Sequence, residues 1–374
     1  MTKNCIVYIP YKLEEKGRGA RMVRPRKMIQ AFRDLGYSVT LIDGFSRERK
    51  QRISSVKNQI RAGISYDFAY IEGNTEPIFL TDPHHFPTHP FLDFGFFHFL
   101  NKHDIPIGLF YCDIYWKFKN YGEGMPFWKR KAALFFYALE LKKYENCISK
   151  FYLPDCKMLE FIGNPRLERI AEELPPGCDK IEVSHDNNDV LFSDEKPIKV
   201  FYVGGLGDHY QIVELVKAIK ERSFTRLTLC CRADDWEKQK SAFEEYLCDR
   251  VEVVHCNSDQ LDCFYKDTDI CSLMFKESVY ISFARPVKAY EYLAHEIPVI
   301  ATEGISIGDF VTENKIGWSI PYDYRSISEV FDKIKDNPSI LKEKIKRCHS
   351  VKKNNLWTCR ANSVITGLKK QAKS

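Results

Sequence analysis

The chain has 374 residues, and at roughly 150 residues per domain that length asks for two large domains. Hydrophobic residues make up 44% of it and charged ones 29%, with 20 Tyr and 26 Phe, which supplies a sizeable core and excludes a disordered or low-complexity chain. The net charge of +5 is uneven: residues 1–180 carry 28 Lys+Arg against 21 Asp+Glu, and residues 181–374 carry 28 against 30.

A basic first half suits a phosphate-bearing partner such as an anionic bilayer or a lipid diphosphate, with a solvated basic surface as the plainer explanation. Nucleic acid fits least, because no recognised binding module accompanies the basic residues. No stretch reaches the roughly 18 uncharged apolar residues of a membrane-spanning helix, and residues 1–5 run into a strand rather than a signal peptide. The 13 Cys include no Cys-x-x-Cys pair, which fits a reducing compartment. The expectation is a soluble cytoplasmic protein.

In chain order, residues 6–9 read as a strand, and Gly17-Arg18-Gly19 as a loop. Met28, Ile29, Phe32 and Leu35 fall on one helical face that ends at Gly36. Strands follow at 38–42, 68–71 and 107–111, with helices between, so a parallel sheet covered on both faces is expected. Leu174-Pro175-Pro176-Gly177 and the polar run 184–188 are linker chemistry. A second copy of the pattern starts with a strand at 199–203, turns at Gly204-Gly205-Leu206-Gly207 and enters a helix over 212–219. Its further strands are 227–231, 251–254, 270–275 and 298–301, and a closing helix with Trp357 and Arg360 spans about 340–370. The resulting division is 1–180, a linker at 181–197, 198–345, and a terminal helix at 346–374 that returns to the first domain.

The 204–207 turn is not Gly-x-Gly-x-x-Gly, which disfavours NAD. Its amides and the following helix dipole suit a diphosphate, although an ordinary tight turn has the same composition. A second motif runs from Phe283-Ala284-Arg285-Pro286 through Lys288 and Glu291 to Ala301. Pro286 suits a first helical turn, and Lys288 and Glu291, three apart, share one face. Such a cation neutralises a diphosphate and such a carboxylate accepts from ribose hydroxyls, whereas a surface pair would contribute only a few tenths of a kcal/mol.

In the first half, Asp113 and Glu72 end apolar strands, where an α/β sheet presents ligand groups. Either carboxylate could orient or deprotonate an acceptor hydroxyl, or merely cap a loop. Arg18, Arg21 and Arg24 follow the first strand and suit a phosphate. Asp267-Thr268-Asp269 and the histidines His84, His85 and His89 invite a metal reading. The first reads better as a strand edge and the second as a rigid Pro-rich loop, so no metal is expected. Finally, Phe127-Trp128-Lys129-Arg130-Lys131 joins basic residues to the apolar run 132–136, the composition of an interfacial membrane contact or of a partly buried helix with snorkelling lysines.

Taken together, residues 285–301, Tyr202-Val203-Gly204-Gly205-Leu206-Gly207 and Trp357-x-x-Arg360 resemble GT-B glycosyltransferases of the family 4 type. Tyr70-Ile71-Glu72-Gly73 and residues 110–116 resemble the bacterial polysaccharide and cell-surface glycan transferases among them. The resemblance implies two Rossmann-like α/β domains facing a cleft and a nucleotide-diphosphate sugar held by the second. It also implies a glycan or lipid-linked acceptor held by the first, at the inner face of a membrane, and sugar transfer with retention and without a metal or other cofactor. Glu291 then corresponds to the ribose-binding glutamate, Lys288 and Arg285 lie near the diphosphate, and Gly204, Gly205 and Gly207 line it. One departure stands out, because the family's paired glutamates put the first at 283, where this chain has Phe283. That difference keeps two alternatives open, a sugar-nucleotide 2-epimerase of the same fold and a non-catalytic partner subunit that binds glycans or nucleotide sugars.

Overall fold

The computed structural model describes residues 3–14, 19–183, 192–207, 211–257 and 260–371. They form two compact units, Met1–Pro176 with Trp357–Ser374, and Gly177–Leu356. In the first, β1 (Lys3–Tyr8), β2 (Tyr37–Ile42), β3 (Phe68–Glu72), β4 (Ile107–Phe110), β5 (Lys150–Leu153) and β6 (Ala171–Glu173) make a sheet in the order β2-β1-β3-β4-β5-β6. In the second, β7 (Ile198–Val203), β8 (Thr225–Cys230), β9 (Val251–Val254), β10 (Ile270–Leu273), β11 (Val299–Thr302) and β12 (Gly317–Ile320) take the order β12-β11-β10-β7-β8-β9. Every pairing is parallel. All five residues of β3 and all four of β4, β10 and β11 are buried, as both-face coverage by helices requires.

The helix Ala20–Asp34 stops where the sequence suggests, because Gly36 takes φ +83° and its amide closes onto Arg33 O at 2.9 Å. Three strands carry little sequence signal. β6 is Ala-Glu-Glu at a sheet edge, β5 opens on Lys150, and β12 is the short Gly-Trp-Ser-Ile. Pairing to a neighbour, rather than an apolar run, makes them strands.

The closing helix is two helices, which corrects the single one expected over 340–370. Ser339–Lys353 remains with the second unit, where Leu341 and Cys348 enter the core. Its buried Lys352 donates to Ile181 O at 2.7 Å, Ala294 O at 3.2 Å and Glu296, so it caps the carbonyl end of the helix Val287–Ala294. The run Asn354-Asn355-Leu356 breaks the helix, with the Asn354 and Asn355 amides folded back onto Val351 O and Lys352 O. Trp357–Gln371 then joins the first unit. Trp357, Ala361, Val364 and Leu368 pack with Phe32, Phe110 and Tyr152, and Arg360 Nε donates to Pro176 O at 3.0 Å. No helix among the described residues is long and apolar enough to cross a membrane.

Both sheets reverse their direction of growth once. The first does so between β1 and β3, the second between β7 and β10. At such a switch point the two following connections diverge to opposite faces and leave a crevice at the carboxyl ends of the strands.

Candidate functional site

In the second unit the predicted residues gather at that crevice. The Gly204–Gly207 turn follows β7, and the helix Val287–Ala294 follows β10, its neighbour. The Tyr292 hydroxyl accepts from Val203 N at 3.3 Å and so ties the helix to the end of β7. Tyr202 folds its hydroxyl back onto Gly205 O at 2.7 Å, and a Cβ at position 204 would lie 2.7 Å from the Tyr202 hydroxyl oxygen. Glycine at 204 is thus required by close packing rather than by an unusual φ. A Cβ at Gly207 would meet nothing within 4 Å among the described residues.

Pro286 is the N-cap of the Val287–Ala294 helix, one place before the first helical turn where the sequence suggests it. Among the described residues no side chain caps the start of this helix and no acidic residue occupies its first turn, so its first amides and the positive end of its dipole are left for an anion. Lys288 and Glu291 pair through Nζ and Oε2, their side chains 27% and 30% exposed. Arg285 stacks its guanidinium over Phe310 at 5.6 Å. Phe283 is buried and edge-on to Tyr280, so no carboxylate stands at that position.

Tyr265 carries no sequence signal of a role. Its hydroxyl donates to Glu291 Oε2 at 3.0 Å, although 26 positions separate the two. His295 stacks on the Tyr265 ring at 4.3 Å, and burial holds its imidazole below the ordinary histidine range.

In the first unit the predicted residues also meet at the switch point, but on each other. Arg24 Nε lies 2.8 Å from Glu72 Oε1, with side chains 6% and 3% exposed. The Arg24 guanidinium sits 3.5 Å over Phe110 and 5.9 Å from Trp357, with Nη2 3.5 Å from the Tyr70 hydroxyl. Burial pushes the Glu72 carboxyl up, countered in part by Arg24 and Tyr70. Glu72 Oε2 and Arg24 Nη1 have no hydrogen-bonding partner among the described residues, which costs about 1–3 kcal/mol for each such atom. Arg21 is exposed and stacks over Tyr11 at 4.4 Å, and Arg18 lies outside the described residues. Asp113 is half-buried and accepts from Tyr115 N at 2.8 Å, three residues beyond β4.

Two further groups brace these loops. Arg49, buried in the helix Ser46–Arg61, holds Asp93 with Nε and Nη2 while its Nη1 donates to Pro10 O at 2.9 Å and Gly44 O at 2.8 Å. It thereby fixes the connections after β1 and β2. Glu140 accepts from Ile78 N at 2.8 Å and from the Tyr111 hydroxyl at 3.3 Å, and burial raises its carboxyl to about 8.

The histidine loop serves the same scaffold. Asp82 accepts from Ser46 N and Oγ at 2.7 and 2.5 Å, and His89 Nδ1 lies 3.1 Å from that Oγ. Asp267 pairs with Lys199, and Asp269 accepts from Lys199 N at 2.8 Å, at the amino end of the sheet and away from the crevice. Among the described residues no three His, Cys, Asp or Glu side chains are grouped to hold a metal.

Residues 184–355 match the family model for glycosyl transferases group 1. The segment is a glycosyltransferase group 1 domain, and the chain has the GT-B fold. Solved structures of the same fold include Anabaena Alr3699/HepE in complex with UDP and glucose, 10% identical with a TM-score of 0.64, covering 98% of this chain and 99% of that one. A glycosyltransferase from Rickettsia africae ESF-5 is 13% identical, with a TM-score of 0.64 and full coverage of both chains. WaaG, a glycosyltransferase involved in lipopolysaccharide biosynthesis, is 11% identical with a TM-score of 0.59, covering 96% and 98%. Comparison with curated protein sequences finds no match. The group 1 domain contains the whole of the 204–207 turn and the Lys288–Glu291 pair, while Glu72 and Asp113 lie outside it.

Proposed function

We propose that the chain moves a sugar from a nucleoside diphosphate donor to a hydroxyl of a glycan or lipid-linked acceptor, with retention and without a metal. The observation that carries this reading is the half-exposed Lys288–Glu291 pair on an uncapped helix start, beside the glycine turn and at a switch point. Lys288 and the helix amides would neutralise the departing diphosphate, with Arg285 near it, and Glu291 would accept from the ribose hydroxyls. The Gly204, Gly205 and Gly207 backbone would approach the phosphates closely. Alr3699/HepE, whose fold is similar, has been solved with UDP-glucose, which favours a donor of that class here. The commitment of Asp267 and Asp269 to Lys199 favours leaving-group stabilisation by these cations, and the retaining course rests on the resemblance to family 4 enzymes.

On the acceptor side, Asp113 is the better placed of the two carboxylates, since Glu72 is buried against Arg24. Arg21, exposed at the start of its helix, would meet an acceptor phosphate. An anionic membrane surface would carry that acceptor. The helix Phe127–Tyr144 buries nothing before Tyr137, and Phe127, Trp128 and Phe135 remain 69%, 67% and 62% exposed. Lys131 and Lys129 lie over the Phe127 and Trp128 rings at 4.6 and 5.4 Å, so cations and apolar rings share one surface.

Incubation with a panel of nucleotide sugars and lipid-linked glycans tests this reading. Nucleoside diphosphate release that depends on added acceptor is expected. A new isomer of the donor with no release would make the chain an epimerase, and binding with neither product would make it a silent subunit. Salt-sensitive sedimentation with phosphatidylglycerol vesicles, lost in a Phe127→Ser/Trp128→Ser chain, is the expected membrane result; no association in low salt would remove the membrane from the proposal.

A further inference from the structure

The contacts of Glu291 are unequal between its two oxygens. Oε2 receives both the Tyr265 hydroxyl and the Lys288 ammonium, whereas Oε1 receives no hydrogen bond among the described residues. A carboxylate with one oxygen doubly held and one open is oriented, so the open oxygen can be aimed at a pair of vicinal hydroxyls. Lys288 alone cannot impose that orientation, because a flexible ammonium follows the carboxylate wherever it turns. Tyr265 can. Its ring is 5% exposed and is fixed edge-on to Phe201 at 5.4 Å, against Tyr292 at 6.0 Å, and beneath His295 at 4.3 Å. Burial makes the His295 ring harder to protonate, against the opposing pull of Asp262 and Glu291. A buried tyrosine hydroxyl needs a partner, and here the partner is Glu291.

We infer that Tyr265 is the positioning residue for Glu291, and that it sets the preference of this site for ribose over 2′-deoxyribose. The inference rests on the proposed role of Glu291. In its absence the carboxylate rotates between Lys288 and solvent, and contact with the sugar hydroxyls becomes one orientation among several. The loss falls on ground-state and transition-state binding alike, so it is read in donor affinity and KM rather than in kcat.

The test uses the full chain and whichever of UDP, GDP or ADP it binds most tightly, with the matching 2′-deoxy diphosphate, by titration calorimetry. Wild type is expected to favour the ribonucleotide about tenfold, as loss of a hydrogen bond to a charged group implies. Tyr265→Phe keeps the ring and its packing, and is expected to bring that ratio to within about twofold while kcat stays within about twofold. Thermal unfolding confirms that the variant is folded, and Tyr265→Leu takes its place if it is not. A general packing defect would weaken both nucleotides equally and leave the ratio unchanged. A folded Tyr265→Phe chain with the wild-type ratio overturns the inference if Glu291→Ala loses that ratio, because Glu291 then works unaided. If Glu291→Ala also keeps the ratio, the ribose-binding role of Glu291 fails, and the inference with it.

Discussion

Each unit places one cation and one carboxylate at its switch point, and the two pairs differ in solvent access. Arg24 and Glu72 are buried to 6% and 3% exposure and stacked among Phe110, Tyr70 and Trp357. Lys288 and Glu291 are 27% and 30% exposed and lean on a single tyrosine. Net charge is opposed as well. The first unit carries 31 Lys+Arg against 20 Asp+Glu and the second 25 against 31, so the imbalance is sharper by structural unit than by halves of the chain. The basic unit also bears Phe86, Phe91, Phe127, Trp128 and Phe135, all exposed. The same topological position thus holds a structural ion pair in one sheet and an accessible one in the other. A switch point names where to look, and exposure decides what is found there.

Breaking the buried pair should have the largest effect. Removing one partner strands a charge without water, so Glu72→Ala is expected to destabilise the first unit by about 3–5 kcal/mol, measured by denaturant unfolding. Glu291→Ala should cost less, about 1–3 kcal/mol, because Lys288 is already wet and only the buried Tyr265 hydroxyl loses its partner. Equal losses in the two variants would erase the distinction between the pairs. Next comes Lys288→Ala. If Lys288 faces the developing diphosphate as proposed, it contributes in the transition state, so kcat should fall about 10²–10³-fold with unfolding unchanged. A variant with raised KM and intact kcat would move Lys288 from leaving-group stabilisation to uniform binding.

The accessible pair was legible in the sequence and the buried one was not, for a physical reason. Lys288 and Glu291 are neighbours by helical period alone, so local spacing brings them together. Arg24 and Glu72 meet only because β3 lies beside β1, a pairing no local pattern encodes. Read singly, each looked like a ligand group of its own. Tyr265 failed to register for the same reason, since its short helix reaches Glu291 only through the assembled sheet. The core strands were legible as apolar runs, whereas β6 exists only as a partner of β5.

Read per pH unit, the smallest effect separates the units by pH. Glu140 is buried beneath the Tyr111-Cys112-Asp113 connection, its carboxyl raised to about 8 chiefly by desolvation. An unfolded glutamate titrates at about 4.3, and below that pH both states hold the proton, so stability does not respond. Between there and about 8 the folded state keeps a proton that the unfolded state has lost. Stability therefore falls as pH rises through this window, by at most about 1.4 kcal/mol per pH unit, and levels off above it. Glu140→Gln keeps an acceptor for Ile78 N and the Tyr111 hydroxyl without the titration, so its unfolding free energy should lack this slope. The informative quantity is the difference between variant and wild type across pH 5–8, since histidines contribute equally to both. Identical slopes would mean that Glu140 is ionised in the folded chain. The loop bearing Asp113 would then be braced by a charge, as Glu291 is in the other unit, and the contrast between a dry scaffold and a wet site would have to be redrawn there.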